Sequence, residues 1–219
     1  MTGSGPNHAA AQGEITVVGT GRVSVQPDLA ELRLGVSLSR QSVAEIREEA
    51  ATLMSAILTA VQASGVDKQD IRTSLLSVQP RFAYHENEPP RPAGFEMANV
   101  VEITVRDLVG LAEVIDGALK AGATSMDSLE FRLADPGPAE TEARRRAMAE
   151  ARSRADVLAD AAGLSISGVS SVVEDGGFQP PRPFDKRERM MLASDVSTPV
   201  ESGTIETAVR VTVTYRTTA

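Results

Sequence analysis

Two histidines, 30 carboxylates, a run of three arginines and one glycine-flanked turn are the residues of this 219-residue chain that could do chemistry. There is no cysteine, which excludes disulfides, thiolate metal sites and cysteine nucleophiles. His8 lies in a polar N-terminal stretch and His85 at the edge of a proline-rich loop. Neither position supplies the oriented imidazole that a Ser-His-Asp triad requires. Metal ligation needs several converging imidazoles or carboxylates. The nearest acid pairs are Asp67 with Asp70, Glu86 with Glu88, and Glu174 with Asp175, each at a turn or loop where solvated acids are common. The sequence therefore offers no catalytic residue, no cofactor site and no metal site. A hydrolase using dispersed carboxylates stays open, because glycosidase acid pairs are distant in sequence.

Two further motifs carry less than they promise. Val17-Val18-Gly19-Thr20-Gly21 resembles the start of a dinucleotide-binding turn, but that turn needs a third glycine and a helix N-terminus facing the pyrophosphate. Val23 and Val25 continue a strand instead, so a hairpin or bulge is expected at the glycines. Arg144-Arg145-Arg146 looks like an anion site, yet consecutive helical residues point about 100° apart and form no single patch. Glu140 with Arg144, Glu142 with Arg146 and Glu150 with Arg154 stand at i, i+4 in the favourable order. They predict a solvated helix laced with ion pairs.

The elements that position these residues follow from hydrophobic period. Ala30, Leu32, Leu34, Val36 and Leu38 alternate with polar residues, which makes a half-buried strand. Val43, Ile46, Ala50, Leu53, Ile57 and Val61 then recur at helical spacing across Gln41–Ser64, a stretch without proline or glycine. Strands are predicted over Ile71–Tyr84 and Gly94–Arg106. Leu108, Leu111, Ile115 and Leu119 predict a short helix, and Leu129, Phe131 and Leu133 another strand. A second long helix spans Pro138–Ala162, followed by strands at Ile166–Glu174 and Thr204–Arg216. Three helices end in a small residue plus glycine (Ser64-Gly65, Ala121-Gly122, Ala162-Gly163), with a strand after each. This predicts an α+β fold in which two long helices and one short helix pack on one face of a mainly antiparallel sheet.

On the second long helix Ala143, Ala147, Ala151 and Ala155 form an i, i+4 stripe. Alanine lets a neighbouring backbone approach closely, so the stripe seats the helix on the sheet or against another helix. Residues 176–203 carry Pro180, Pro181, Pro183 and Pro199 and no periodicity, and read as a long loop. Its Phe178, Phe184, Met190, Met191 and Leu192 stand out in a chain with 3% aromatics. Methionine suits adaptable contact surfaces. These five residues are the candidate interface with a neighbouring subunit or an unknown protein partner.

Composition narrows the partners. A net charge of −8 disfavours nucleic acid, which needs a positive surface. No apolar run approaches the roughly 18 residues of a membrane span. Residues 1–14 read as a flexible polar tail without the charged start and apolar stretch of a signal peptide. As written the chain is expected in the cytoplasm, or in the periplasm or outside the cell if an export signal has been trimmed.

Several segments together resemble the SIMPL-domain family, which includes periplasmic immunogenic proteins of Gram-negative bacteria. They are Ile15–Gly21, Pro27-Asp28-Leu29-Ala30, Asp70–Thr73, Gly94–Asn99, Val105–Leu108, Ala143-Arg144 through Ala151-Arg152 to Ala155, and Thr198-Pro199-Val200 before Gly203. Each is weak alone; order and spacing make the set specific, and it spans almost all of residues 15–216 as one domain. The resemblance implies an α+β fold with no established active site, a homo-oligomeric habit in some members and a link to envelope or oxidative stress. The expected function is a non-catalytic, self-assembling binding or scaffold protein. The alternatives are the dispersed-carboxylate hydrolase and a module binding a small apolar ligand. Without cysteine or a histidine cluster, the purified protein is expected to hold no stoichiometric transition metal. Elemental analysis finding about one zinc or iron per chain after chelator dialysis would overturn the non-enzyme reading.

Overall fold

The computed structural model describes residues 13–83, 89–175, 182–183 and 200–219. These form three α-helices and eight strands, with every strand pair antiparallel. The α+β class, the antiparallel pairing and the three helices match the sequence reading. The strands, however, fall into two four-stranded sheets rather than one. Two compact units result, each with its own sheet, the first with one α-helix and the second with two.

The first unit holds β1 (Gly13–Val25), α3 (Gly137–Ala162), β6 (Ser165–Glu174), β7 (Arg182–Pro183) and β8 (Ile205–Thr218). Its strand order is β1-β8-β6, with β7 also paired to β8. β8 alternates as expected: Val211, Val213 and Tyr215 are buried, and Thr217 extends the buried row. The alanine stripe is longer than the sequence reading had it, for Ala139 and Ala159 are buried along with Ala143, Ala147, Ala151 and Ala155. Its partner is the sheet.

The glycines of β1 explain how close that contact is. No hairpin or bulge interrupts β1 at Gly19 or Gly21; the strand pairs with β8 in unbroken register from Gly13 to Val25. Here the expectation of a turn fails, because the glycines serve the helix instead. A Cβ on Gly19 would stand 2.0 Å from the Ala147 carbonyl oxygen, and one on Gly21 1.8 Å from that of Ala143. Helix backbone lies directly on strand backbone. Any larger residue on either side must lift α3 away.

The second unit holds β2 (Leu29–Arg40), α1 (Val43–Ala63), β3 (Ile71–Ala83), β4 (Arg91–Val105), α2 (Leu111–Lys120) and β5 (Ser125–Arg132), in sheet order β3-β4-β2-β5. A side-chain N-cap starts α1: the Ser42 hydroxyl accepts from the Glu45 N–H at 3.2 Å. Its core is built of side chains. Leu32, Leu34 and Val36 of β2 and Val101 and Ile103 of β4 meet Ile46, Ala50, Met54, Ile57 and Val61 of α1 and Leu111, Val114, Ile115 and Ala118 of α2. Two predicted core positions are exposed, Val43 at the first turn of α1 and Leu119 near the end of α2. Val200, inside the segment read as a loop, packs against this core.

The three glycines read as helix stops, Gly65, Gly122 and Gly163, all take positive φ. The strands that follow them (β3, β5 and β6) each end up at a sheet edge. We expect Gly21→Ala and Ala147→Leu each to destabilise the protein by about 1–3 kcal/mol through overpacking. Urea denaturation midpoints equal to that of the parent would show that α3 is not seated on β1.

Candidate functional site

β1 is an edge strand, so backbone groups on its outer side lack a strand partner. Side chains of α3 occupy several of them. The Arg146 guanidinium donates to the Arg22 carbonyl at 2.8 Å, and the Arg154 guanidinium to the Val18 carbonyl at 2.8 Å. Between them the Thr20 N–H donates to the Glu150 carboxylate. The match is geometric. Four helical residues advance about 6 Å, and two strand residues roughly 6.6 Å, so an i, i+4 row meets every second residue of the strand.

The ion pairs read from the sequence form on the same helix: Arg146 meets Glu142 at 2.9 Å, Arg154 meets Glu150 at 2.7 Å, and Arg144 meets Glu140 at 3.3 Å. Arg144 also meets Glu174 of β6 at 3.0 Å, a pair that helical spacing does not give. Exposed pairs of this kind add little stability. What the sequence reading missed is the second role of Arg146, Glu150 and Arg154 as hydrogen-bond partners of a strand. Spacing of the glycines against the alanines, two residues against four, is the signal that could have found it.

Electrostatics follow from this geometry. Glu150 titrates below the ordinary carboxylate range, chiefly because the Thr20 N–H stabilises its charged form, with Arg154 adding to this. Tyr215 titrates above its usual value because it is buried, and the Arg152 guanidinium sits 5.8 Å from its ring centre.

The acid pairs singled out as candidates are spread across the structure. Asp70 is engaged by Arg106 at 2.9 Å, and Asp175 lies 3.6 Å from Arg210. Glu86, Glu88, His8 and His85 lie outside the described residues, as do the five interface candidates Phe178, Phe184, Met190, Met191 and Leu192. Among the described residues no group of three His, Asp or Glu side chains could hold a metal ion. A shallow depression on the outer face of α1, lined by Ala51, Ser55, Ala56 and Thr59 among others, opens to solvent. Exposed apolar side chains instead gather on edge strands: Leu75, Leu76, Val78 and Phe82 on β3, and Val169, Val172 and Val173 on β6.

These features define an α+β protein of two antiparallel sheets, with clusters of exposed apolar residues on the edge strands β3 and β6. The chain belongs to the SIMPL family, a protein of unknown function (DUF541), whose profile matches residues 15–215. The resemblance drawn from the scattered motifs therefore holds over that whole span. The chain is 28% identical over 196 residues to a 26 kDa periplasmic immunogenic protein of Brucella melitensis, covering 86% of this chain and 78% of that protein. It is 29% identical over 167 residues to an uncharacterized protein, YggE, of Edwardsiella ictaluri, covering 76% and 70%. With YggE of Escherichia coli it shares 28% over 158 residues, covering 72% and 64%. No helix among the described residues is long and apolar enough to cross a membrane.

The Glu150 contact sets a pH dependence. A carboxylate whose folded pKa is depressed stabilises the fold above its unfolded pKa of about 4.3, and that contribution is lost as pH falls through the folded value. Glu150→Gln keeps an acceptor for Thr20 but removes the titration. We expect the parent to be more stable than this variant at neutral pH, and the gap to close on acidification. A gap that is constant from neutral to strongly acid pH would show that the contact does not form.

Proposed function

We propose that the chain works by self-assembly, as a binding or scaffold protein without chemistry of its own. The observation that supports this most directly is the placement of exposed apolar residues on the edge strands β3 and β6. An edge strand offers unpaired N–H and C=O groups, and apolar side chains beside them add area to any strand laid alongside. A carboxylate enzyme calls for paired acids with shifted titration in one cleft. The shifted carboxylate described above, Glu150, is instead held by a strand backbone on the surface of α3. A ligand module calls for an enclosed apolar pocket, and the depression on α1 is open.

The periplasm is the compartment proposed for it, on the name of the Brucella relative. A role in envelope or oxidative stress, and a contribution to assembly from Phe178, Phe184, Met190, Met191 and Leu192, belong to the same reading. Light scattering of the native protein is expected to give a mass that is a multiple of the 23.1 kDa chain. A single-chain mass at every concentration up to the limit of solubility would refute the assembly reading.

A further inference from the structure

One row of the second unit's sheet lacks the cover that the others have. α1 packs on β2 and β4, whose helix-side residues are buried, and Leu129 and Phe131 of β5 pack against the same core. β3 joins that core at its start, through Ile71. Leu76 stands in register with Asn99 and Val36, and Val78 with Met97 and Leu38, so both point to the helix side. Pro80 and Phe82 continue the row by alternation along β3. All four are exposed, Leu76 at 63%, Val78 at 43% and Phe82 at 46%. The row is apolar and uncharged over about 20 Å. A sheet buries an apolar face of this kind against another element.

Whatever covers the row must bring apolar side chains to the helix side of this sheet. Residues 184–199 end at such a place: Val200, which follows them, packs against the core between helices and sheet. Met190, Met191 and Leu192 stand eight to ten residues before Val200, a reach of up to about 26–36 Å. Leu76 and Val78 lie five and seven residues beyond Ile71, roughly 17 and 24 Å along the strand. Methionine adapts to an irregular surface. Tethering to Val200 also gives these side chains the high local concentration of an intramolecular contact, which a separate molecule lacks. The comparable row on β6, Val169 and Val172, is shorter and ends in a charge, Glu174, held by Arg144 of α3.

We infer that Met190, Met191 and Leu192 lie along Leu76 and Val78 of their own chain and extend the layer that Val200 begins. This goes beyond the assembly reading and leaves it the groups that strand pairing needs: the backbone edge of β3, Leu75 on its other face, and β6. The three residues then reach a neighbouring copy only by exchange of the segment between chains.

The cysteine-free chain makes the test clean. In the full chain carrying Val78→Cys and Met191→Cys, a short bis-maleimide at low protein concentration is expected to join the two thiols within one chain. The product has a single-chain mass, and its tryptic map contains the linked pair. Val172→Cys with Met191→Cys is the control, expected to link several-fold more slowly. Independently, alkylation of Leu76→Cys is expected to speed up several-fold when Met190, Met191 and Leu192 are all replaced by serine, with circular dichroism unchanged. Links that form only between chains, when Val78→Cys and Met191→Cys proteins are mixed, would show a second copy in the seat. The same-chain inference is then wrong, and the assembly reading gains a contact. If the pair links no faster than the control and the serines leave alkylation unchanged, the inference is wrong and the assembly reading rests on the native mass alone.

Discussion

Backbone set directly on backbone, α3 against β1, is the contact on which the first unit depends. With the Ala143 and Ala147 carbonyls lying over Gly21 and Gly19, there is no room for a layer of side chains between helix and strand. That constraint accounts for features that otherwise look unrelated. It calls for the run of buried alanines, six of them along α3. It also brings the long side chains flanking the stripe within reach of the strand edge, which is why Arg146, Glu150 and Arg154 can bond to β1. Alanine buries little area, so hydrophobic stabilisation of the unit must come largely from the sheet: Val17, Val211, Val213 and Tyr215.

The second unit solves the same problem in the opposite way. Its helices stand off the sheet on leucine, isoleucine, valine and methionine, and its core is a layer of interdigitated side chains. One sheet is thus covered by close backbone approach and the other by bulk. A substitution that adds a methyl group has different meanings in the two. In the helix–sheet core of the second unit the neighbours are side chains, which can change rotamer to receive it; at Gly19 and Gly21 of β1 the atoms in the way are the main chain of α3.

Most of the fold is legible in the sequence, because period is a direct consequence of one-sided burial. The alternation in β2, β4 and β8 and the helical spacing in α1 mark their buried faces correctly. Val43 and Leu119 mislead because apolar residues at helix ends need not be covered. The glycines at positions 19 and 21 mislead for a deeper reason. Glycine signals either freedom of φ or a need for space, and a single sequence does not distinguish them. At Gly65, Gly122 and Gly163 the reason is φ; at Gly19 and Gly21 it is space. Division of the strands into two sheets is likewise hidden, since alternation tells which face is buried but not which strand lies alongside. Of the candidate site, the ion pairs on α3 follow from spacing. The hydrogen bonds of the same side chains to β1 do not, because they join residues more than a hundred positions apart.

That separation has a consequence for how the chain acquires its structure. β8, the last strand, lies in the middle of the first unit's sheet and pairs β1 from the opposite end of the sequence; Thr16 and Thr214 are 198 residues apart. Until residues 205–218 have been synthesised, neither β1 nor β6 has the strand it pairs with. The helices and sheet of the second unit come from the unbroken stretch 27–134, apart from the later packing of Val200. During synthesis that stretch can fold while β1 waits, and the first unit closes in a late, slow step of high contact order. A ribosome stalled shortly before residue 205 would therefore hold a finished second unit and a β1 strand with both edges bare of strands.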